Sequence, residues 1–138
     1  MPAKPWTLLL LVATVLTGCQ GSAPDAPPAK LVAAGMPPDE WFQKEVVSSP
    51  VPVVVEFGAT WCPPCKKLKP LLEDLNAKSE GKFKVVTIDV DERPHLANHF
   101  QVSPIPVLLL IDGGVVKRYQ LGFINRDELK KFAVVPIE

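Results

Sequence analysis

The spacing of hydrophobic positions changes along the chain and predicts alternating strands and helices. A β-branched run at 53–57 is typical of a strand that is buried on both faces, and the aliphatic run at 107–111 predicts another strand. Between them, leucines recur at helical spacing from Cys62 to about Lys78, which predicts a helix with one apolar face. Pro70 lies inside that helix, where its ring and its missing N–H are expected to produce a kink.

The remaining elements follow from the same periodicities. Asp112-Gly113-Gly114 predicts a tight turn, because glycines adopt positive φ at little cost. The predicted order is helix 39–47, strand 53–57, helix 62–78, strand 84–90, helix 93–100, strand 107–111, strand 115–120 and helix 126–134. This order indicates an α/β fold, with a central mixed sheet of about four to five strands flanked by helices on both faces.

The N-terminal hydrophobic run has a different character. It extends from Leu8 to Leu16 and follows a single positive side chain, Lys4. It is too short to cross a bilayer as a helix, which requires about 20 apolar residues. A charged start followed by a short apolar run is typical of a secretion signal, so the chain is predicted to be exported.

The residues that end this run, Leu16-Thr17-Gly18-Cys19, resemble the lipobox of bacterial lipoproteins. The resemblance implies cleavage before Cys19, lipidation of its sulfur and anchoring by several acyl chains. Residues 1–18 are then a lipoprotein signal peptide, 19–35 a Pro/Ala-rich tether and 36–138 a folded domain. The chain is expected to be lipid-anchored to a bacterial membrane, on its periplasmic or outer cell-surface side. An uncleaved anchor and a free Cys19 after an ordinary signal are the alternatives.

The charge balance argues against one large class of function. Lysine and arginine total 15, aspartate and glutamate also total 15, and the formal net charge of the 138-residue chain is zero. A nucleic-acid-binding domain usually carries a basic excess, so no nucleic-acid partner is expected. The apolar fraction of 47% is sufficient for one compact domain, which is predicted to be a monomer.

Two of the three cysteines form a close pair in Trp61-Cys62-Pro63-Pro64-Cys65-Lys66. The pair follows a buried strand and opens a helix, whose N-terminus stabilises the negative charge of a thiolate. Cys62 is expected to face solvent and to attack a substrate sulfur. Cys65, one turn inside the helix, is expected to be buried and to resolve the mixed disulfide.

Other roles for the pair fit the sequence less well. A zinc site needs four ligands, and the only histidines, His95 and His99, lie four apart on another helix, where a surface role fits better. Haem attachment needs a histidine directly after the second cysteine, and that residue is Lys66. A purely structural disulfide would close a small loop and stabilise little. Neither a metal nor an organic cofactor is therefore expected.

The segment from Val55 to Lys66 resembles the active site of the thioredoxin family, and the likeness extends from about Asp39 to Phe132. Ser103-Pro104-Ile105-Pro106-Val107 resembles the family's cis-proline loop. The resemblance implies a thioredoxin fold, a cis peptide bond before Pro106 and a groove for protein substrates. The substrate-binding residues that it implies are Trp61, Pro63, Pro64, Ile105, Pro106 and Gly122.

Three positions behind the cysteines depart from the family pattern. Glu56 replaces a buried aspartate, Thr87 replaces a lysine that pairs with that acid, and Gly58 replaces a tryptophan. Burial is expected to raise the pKa of Glu56, which by the resemblance accepts a proton from Cys65 through water. A glutamate that faces solvent at the strand end is the alternative. The glycine at position 58 is expected to thin the packing behind the cysteines.

The dipeptide Pro63-Pro64 resembles that of extracytoplasmic thioredoxin-like reductases. The chain is therefore expected to reduce disulfides in extracytoplasmic proteins by dithiol–disulfide exchange. Pro63 lacks an N–H that could stabilise the Cys62 thiolate. The pair is therefore expected to be more reducing than a pair with an N–H donor at this position. The opposite direction, a disulfide-donating oxidase, is an open alternative. Either direction implies a membrane electron donor or acceptor, since one turnover leaves the pair in the wrong oxidation state.

Two alternatives outside disulfide exchange are also open. The first is a thioredoxin-like module that binds its client without catalysis, against which the intact cysteine pair argues. The second is a peroxidase. That activity usually depends on a lone cysteine with a nearby threonine and an activating arginine, and this pattern is not found in the sequence.

Overall fold

The computed structural model of this protein describes residues 26–28 and 34–134. The predicted signal peptide, the lipobox with Cys19 and most of the predicted tether lie outside these residues. None of the helices in the described part of the chain is long and apolar enough to cross a membrane.

The predicted helices and strands are confirmed, and their ends differ from the predictions by no more than one residue. The observed elements are α1 (Glu40–Phe42, continued by a π-helical turn at Gln43–Val47), β1 (Val53–Gly58), α2 (Pro63–Ala77), β2 (Lys84–Asp89), α3 (Pro94–His99), β3 (Val107–Asp112), β4 (Val115–Leu121) and α4 (Arg126–Ala133). Pro70 lies within α2, which continues without a break on both sides of it.

The four strands form one mixed sheet in the order β2-β1-β3-β4. Strand β1 runs parallel to β2 and antiparallel to β3, and β3 and β4 form an antiparallel hairpin. Both glycines of the predicted turn, Gly113 and Gly114, have positive φ, of 56° and 73°. This conformation twists a two-residue turn in the sense that a hairpin requires, so glycine is favoured at both positions.

Helices cover both faces of the sheet, as predicted, and each face has its own hydrophobic core. On one face, Phe42 of α1 and Phe57 of β1 pack against Phe100, with ring centroids 5.3 and 5.5 Å apart. The core on the other face is built mainly from α2, α4 and the inner strands; its buried residues are Val54, Leu68, Leu72, Leu75, Leu108, Leu110, Ile124, Leu129, Phe132 and Ala133. The sheet therefore lies between two apolar layers.

The alternation of side chains along β1 determines what lies behind the cysteines. All six residues of β1 are buried, because the strand lies in the middle of the sheet between two helical layers. Val54 faces the layer that contains α2. Since successive side chains of a strand point to opposite faces, Glu56 and Gly58 lie on the same side as Val54. The carboxylate of Glu56 is thus directed toward the helix that carries Cys65.

Candidate active site

Cys62 and Cys65 form a disulfide at the start of α2, with their Cα atoms 5.3 Å apart. Cys62 is the N-cap residue, and its Sγ accepts a hydrogen bond from the Cys65 N–H at 3.3 Å. Pro63 and Pro64 occupy the first helical positions, where the fixed φ of proline suits the helix. Neither proline carries an N–H, so the Cys65 amide is the first donor that the helix offers to the sulfur of Cys62.

The expectation that Cys62 faces solvent is wrong for this disulfide form. Its exposed fraction is only 3%, and Cys65 is buried as predicted. The Cys62 sulfur bonds inward to Cys65, and the pair packs with Ala59 against Val90 and Ile105. In the oxidised protein, the two cysteines therefore differ in their positions at the helix start and not in their exposure.

The loop beside the disulfide has the expected geometry. The Ile105–Pro106 peptide bond is cis, as predicted, and the Ser103–Pro104 bond is also cis, which the sequence did not indicate. The N–H of Gly122 donates to the Pro106 carbonyl oxygen at 2.8 Å. Gly122 has a φ of +85°, a conformation that favours glycine. This hydrogen bond joins the end of β4 to the proline loop and places Gly122 beside it.

Large apolar side chains are exposed around this loop. Trp61 is 62% exposed, and Leu121 and Phe123, which flank Gly122, are each nearly half exposed. The Trp61 Nε1–H donates to Asp91 Oδ2 at 2.7 Å, which holds the indole beside the disulfide. Apolar groups exposed together are typical of an interaction surface. The sequence analysis did not identify the partner, Asp91, which lies 30 residues further along the chain.

Glu56 is buried behind the disulfide, with an exposed fraction of 7%, so the alternative of a solvent-facing glutamate is wrong. Burial raises the pKa of its carboxyl to about 7. That value already includes a smaller increase from the nearby charge of Asp89 and an opposing decrease from the charge of Lys69. The group therefore changes its protonation state near neutral pH, where a proton acceptor is most effective.

A cavity of about 290 Å³ lies between Glu56 and the surface. It is lined by Glu56, Gly58, Ala59, Thr60, Cys65, Lys66, Lys69, Thr87, Ile88 and Asp89. Thr60, Lys66, Lys69 and Thr87 are exposed, so the cavity opens to solvent. Gly58 lies at the wall of this cavity, but the space directly over the glycine is occupied by the Glu56 carboxylate.

The charged residues of this cavity could be predicted from the sequence only in part. Thr87 pairs with Glu56 in the register of β1 and β2, and it provides no charge there. Lys69 of α2 supplies the positive charge instead. Lys69 lies four residues after Cys65, so both side chains are on one face of the helix. This spacing could have identified Lys69 as a charge near the cysteine pair. The role of Asp89, by contrast, depends on how β2 lies against β1.

The thioredoxin family matches the chain over residues 35–134, which includes every element of the sheet and all the helices described above. The chain belongs to the thioredoxin family. Proteins of this family are thiol–disulfide oxidoreductases, and the redox-active pair of this thioredoxin-family domain is Cys62 and Cys65.

Individual relatives agree with this assignment. Thioredoxin 1 of Nostoc sp. is 40% identical over 99 residues, which are 72% of this chain and 92% of that protein. Thioredoxin of Rickettsia felis is 35% identical over 91 residues, 66% of this chain and 87% of that protein. Mitochondrial thioredoxin of Mus musculus is 43% identical over 91 residues, which cover 66% of this chain and 55% of that protein.

The two histidines have structural partners. His95 Nε2 lies 2.7 Å from Asp39 Oδ2, and His99 Nε2 lies 3.0 Å from the Gly35 carbonyl oxygen. These contacts connect α3 to the chain just before α1. Within residues 26–28 and 34–134, no group of three or more His, Cys, Asp or Glu side chains is arranged to hold a metal ion.

Proposed function

We propose that this chain is a membrane-anchored reductase that transfers electrons from Cys62 and Cys65 to disulfides of exported proteins. The observation that carries the proposal is a cysteine pair at the start of α2, beside an exposed apolar surface and a cis-proline loop. An apolar surface suits unfolded or loosely folded protein segments, which expose hydrophobic side chains.

The first step uses the reduced pair. The Cys62 thiolate attacks one sulfur of a substrate disulfide, and the other substrate sulfur leaves as a thiolate that takes up a proton. A mixed disulfide between Cys62 and the substrate results. The Cys65 N–H, which donates to Cys62 Sγ in the oxidised form, is placed to stabilise negative charge on this sulfur.

The second step releases the substrate. The Cys65 thiol gives its proton to the Glu56 carboxylate, directly or through water in the cavity. The Cys65 thiolate attacks Cys62 Sγ, the Cys62–Cys65 disulfide forms, and the second substrate sulfur leaves and is protonated. Two electrons pass from the cysteine pair to the substrate. Glu56 is suited to this role because its pKa of about 7 allows it to accept and release a proton at neutral pH.

Trp61, Ile105, Pro106 and Gly122 form the proposed substrate groove. The backbone of Ile105 is the part that an extended substrate segment would meet, and Pro63 and Pro64 border the groove at the helix start. After each turnover the disulfide must be reduced again. A membrane thiol transporter is the class of donor that the proposed location requires, since it carries electrons across the bilayer.

The location is proposed from the N-terminal sequence. An apolar run that ends in Leu16-Thr17-Gly18-Cys19 supports export and lipidation at Cys19, and the Pro/Ala-rich residues that follow support a tether. Two or more acyl chains anchor a protein stably, whereas one chain binds a membrane only marginally. The anchor would keep the domain close to its electron donor.

The direction of electron flow is tested by the reduction potential of the Cys62–Cys65 couple, measured in glutathione or dithiothreitol buffers. A value near about −270 mV, as in thioredoxin, is expected for a reductant. A value near about −120 mV, as in strong periplasmic oxidants, would contradict the reductase and favour the disulfide-donating oxidase. Reduction of insulin by the domain with dithiothreitol supports catalysis, and its absence would favour a binding module.

The anchor is tested by expressing the full chain in a bacterium that is fed radiolabelled palmitate. The wild-type protein is expected to incorporate label and to fractionate with membranes. The Cys19→Ser variant, which retains the apolar run, is expected to incorporate none. Equal labelling of both proteins, or a wild-type protein without label, would contradict lipidation at Cys19.

A further inference from the structure

Gly58 lies inside a central strand, where glycine is usually unfavourable because it packs no side chain and loses more backbone entropy. Its backbone conformation does not require glycine, since the glycines with positive φ are Gly35, Gly81, Gly113, Gly114 and Gly122. Asp89 faces it across the register of β1 and β2, so the pairing is regular here. The reason for glycine must therefore be the space that a side chain would occupy.

That space contains the carboxylate of Glu56. A Cβ atom added to Gly58 would overlap Glu56 Oε1, and it would lie 3.1 Å from Glu56 Cδ. It would also lie 3.3 Å from Cys65 Cβ. Positions 56 and 58 share one face of β1, so the longer side chain of glutamate can fold over the glycine next to it on that face.

The same arrangement determines where the carboxylate lies. Glu56 Oε1 rests above the Gly58 backbone, next to Cys65 and at the wall of the cavity that opens to solvent. The charged groups that face it are Asp89 at the end of β2, and Lys66 and Lys69 of α2. One water needs about 10–15 Å³ of accessible space, so a cavity of about 290 Å³ can hold several between the carboxylate and the surface.

We propose that Gly58 is a positioning residue for Glu56, and that the absence of a side chain at position 58 leaves the space that holds the carboxylate between Cys65 and the cavity. Glu56 and Gly58 then form one functional unit. This inference rests on the proposed role of Glu56 as the proton acceptor for Cys65. It explains two departures from the family pattern together, since a glutamate at position 56 requires the space that the glycine leaves.

The test is a cycle of four proteins: wild type, Gly58→Ala, Glu56→Asp and the double variant. In the wild-type background, Gly58→Ala is expected to displace the carboxylate and to slow insulin reduction about tenfold at neutral pH. The shorter aspartate does not reach over position 58, so Gly58→Ala is expected to change the rate less than about twofold in the Glu56→Asp background. Equal effects of Gly58→Ala in both backgrounds would overturn the proposal.

A second readout does not depend on turnover. The carboxyl carbon of residue 56, labelled with ¹³C, is titrated by NMR in each oxidised protein. Gly58→Ala is expected to lower the titration midpoint of Glu56, because the displaced carboxylate moves toward Lys69 and solvent. In the Glu56→Asp background, the midpoint of the introduced aspartate is expected to be the same with and without Gly58→Ala. An unchanged Glu56 midpoint in the Gly58→Ala variant would contradict the inference.

Folding provides a further control. If Gly58→Ala does not fold with Glu56 present, the double variant is expected to fold, because aspartate leaves room for the added methyl group. Failure of both to fold would contradict the inference. The role of Glu56 in proton transfer is tested separately by Glu56→Gln in the Gly58 background. If that variant retains the wild-type rate and pH profile, the proton-transfer proposal fails, while the NMR titrations still decide whether Gly58 positions the carboxylate.

Discussion

The two sides of the disulfide differ in the chemistry that surrounds them. On the groove side, Trp61, Leu121 and Phe123 present apolar surface, and the polar contacts are the hydrogen bond from the Trp61 indole to Asp91 and the one from the Gly122 N–H to the Pro106 carbonyl oxygen. On the side that faces the sheet, the groups around Glu56 are charged, and a cavity leads to solvent. The departures from the family pattern at positions 56, 58 and 87 all lie on the cavity side.

In the proposed mechanism, substrate binding and proton transfer therefore take place on opposite sides of the disulfide. An apolar groove binds protein segments without specifying a charge pattern, which suits an oxidoreductase that acts on several protein substrates. The pKa of a buried carboxylate beside a cavity that opens to solvent can be adjusted by neighbouring charges without changing the groove. The two sides should therefore respond differently to mutation, and the following experiments separate them.

The largest effect on insulin reduction is expected from substitution of the two cysteines, whose disulfide lies between the two sides. Cys62→Ser should abolish insulin reduction, because a serine hydroxyl cannot form the mixed disulfide. Cys65→Ser should also stop turnover, but it should accumulate the mixed disulfide with substrate, since the resolving thiol is absent. Non-reducing gels measure this difference. Accumulation in the Cys62→Ser variant, rather than in Cys65→Ser, would reverse the assigned roles.

On the cavity side, Glu56→Gln is expected to change stability and its dependence on pH. The pKa of Glu56 is raised from 4.5 to about 7 in the folded protein, so the folded state binds more protons than the unfolded state between these values. Stability therefore falls as the pH rises through this window, and the cost of the ionised carboxylate is fully present above about pH 7. Gln cannot ionise, so the oxidised variant should be more stable at pH 8 by up to about 3 kcal/mol.

Urea denaturation of the oxidised wild type and Glu56→Gln at several pH values measures this effect. The difference between the two proteins should be small near pH 4 and should grow up to about pH 7, because only the wild type titrates at this position. If both proteins lose stability in parallel over this range, the pH dependence comes from other groups.

On the groove side, Phe123→Ala is expected to weaken substrate binding without changing proton transfer. Loss of an exposed aromatic contact should raise KM for a protein substrate about tenfold and leave kcat nearly unchanged. Val115→Ala is a matched control, because Val115 is similarly exposed, at 47%, but lies at the opposite end of β4. A small aromatic disulfide, which does not need the groove, should be reduced at the same rate by all three proteins. An equal rise in KM in the control variant would contradict the assignment of the groove.

The elements of the fold could be predicted because their signals are local. The periodicity of leucines in α2, the β-branched residues of β1 and the two glycines before β4 each act within a few residues. The cysteine pair could be recognised for the same reason. Its spacing and its place at the start of a helix are both readable from neighbouring residues.

The features that could not be predicted depend on residues distant in sequence. The burial of Cys62 depends on Val90 and Ile105, which belong to two other loops. The hydrogen bond from Trp61 to Asp91 spans 30 residues. The neighbours that shift the pKa of Glu56 come from β2 and α2, and the space that receives its carboxylate depends on the packing of α2 over β1. The glycine at position 58 indicated that a side chain is missing there, but the sequence did not indicate that the Glu56 carboxylate occupies the space.

The smallest expected effect lies where the two sides meet, at the start of α2. Pro63→Ala adds an N–H close to Cys62 Sγ, and a helix N-terminus stabilises nearby negative charge by about 0.3–1 kcal/mol. The reduced form, in which Cys62 is a thiolate, should gain this stabilisation, so the reduction potential should become less negative by about 10–20 mV. Pro70→Ala is the matched control, since it adds an N–H to the same helix but about two turns further from the sulfur. A shift of the same size in Pro70→Ala, or a more negative potential in Pro63→Ala, would mean that the missing donor at position 63 does not make this pair more reducing.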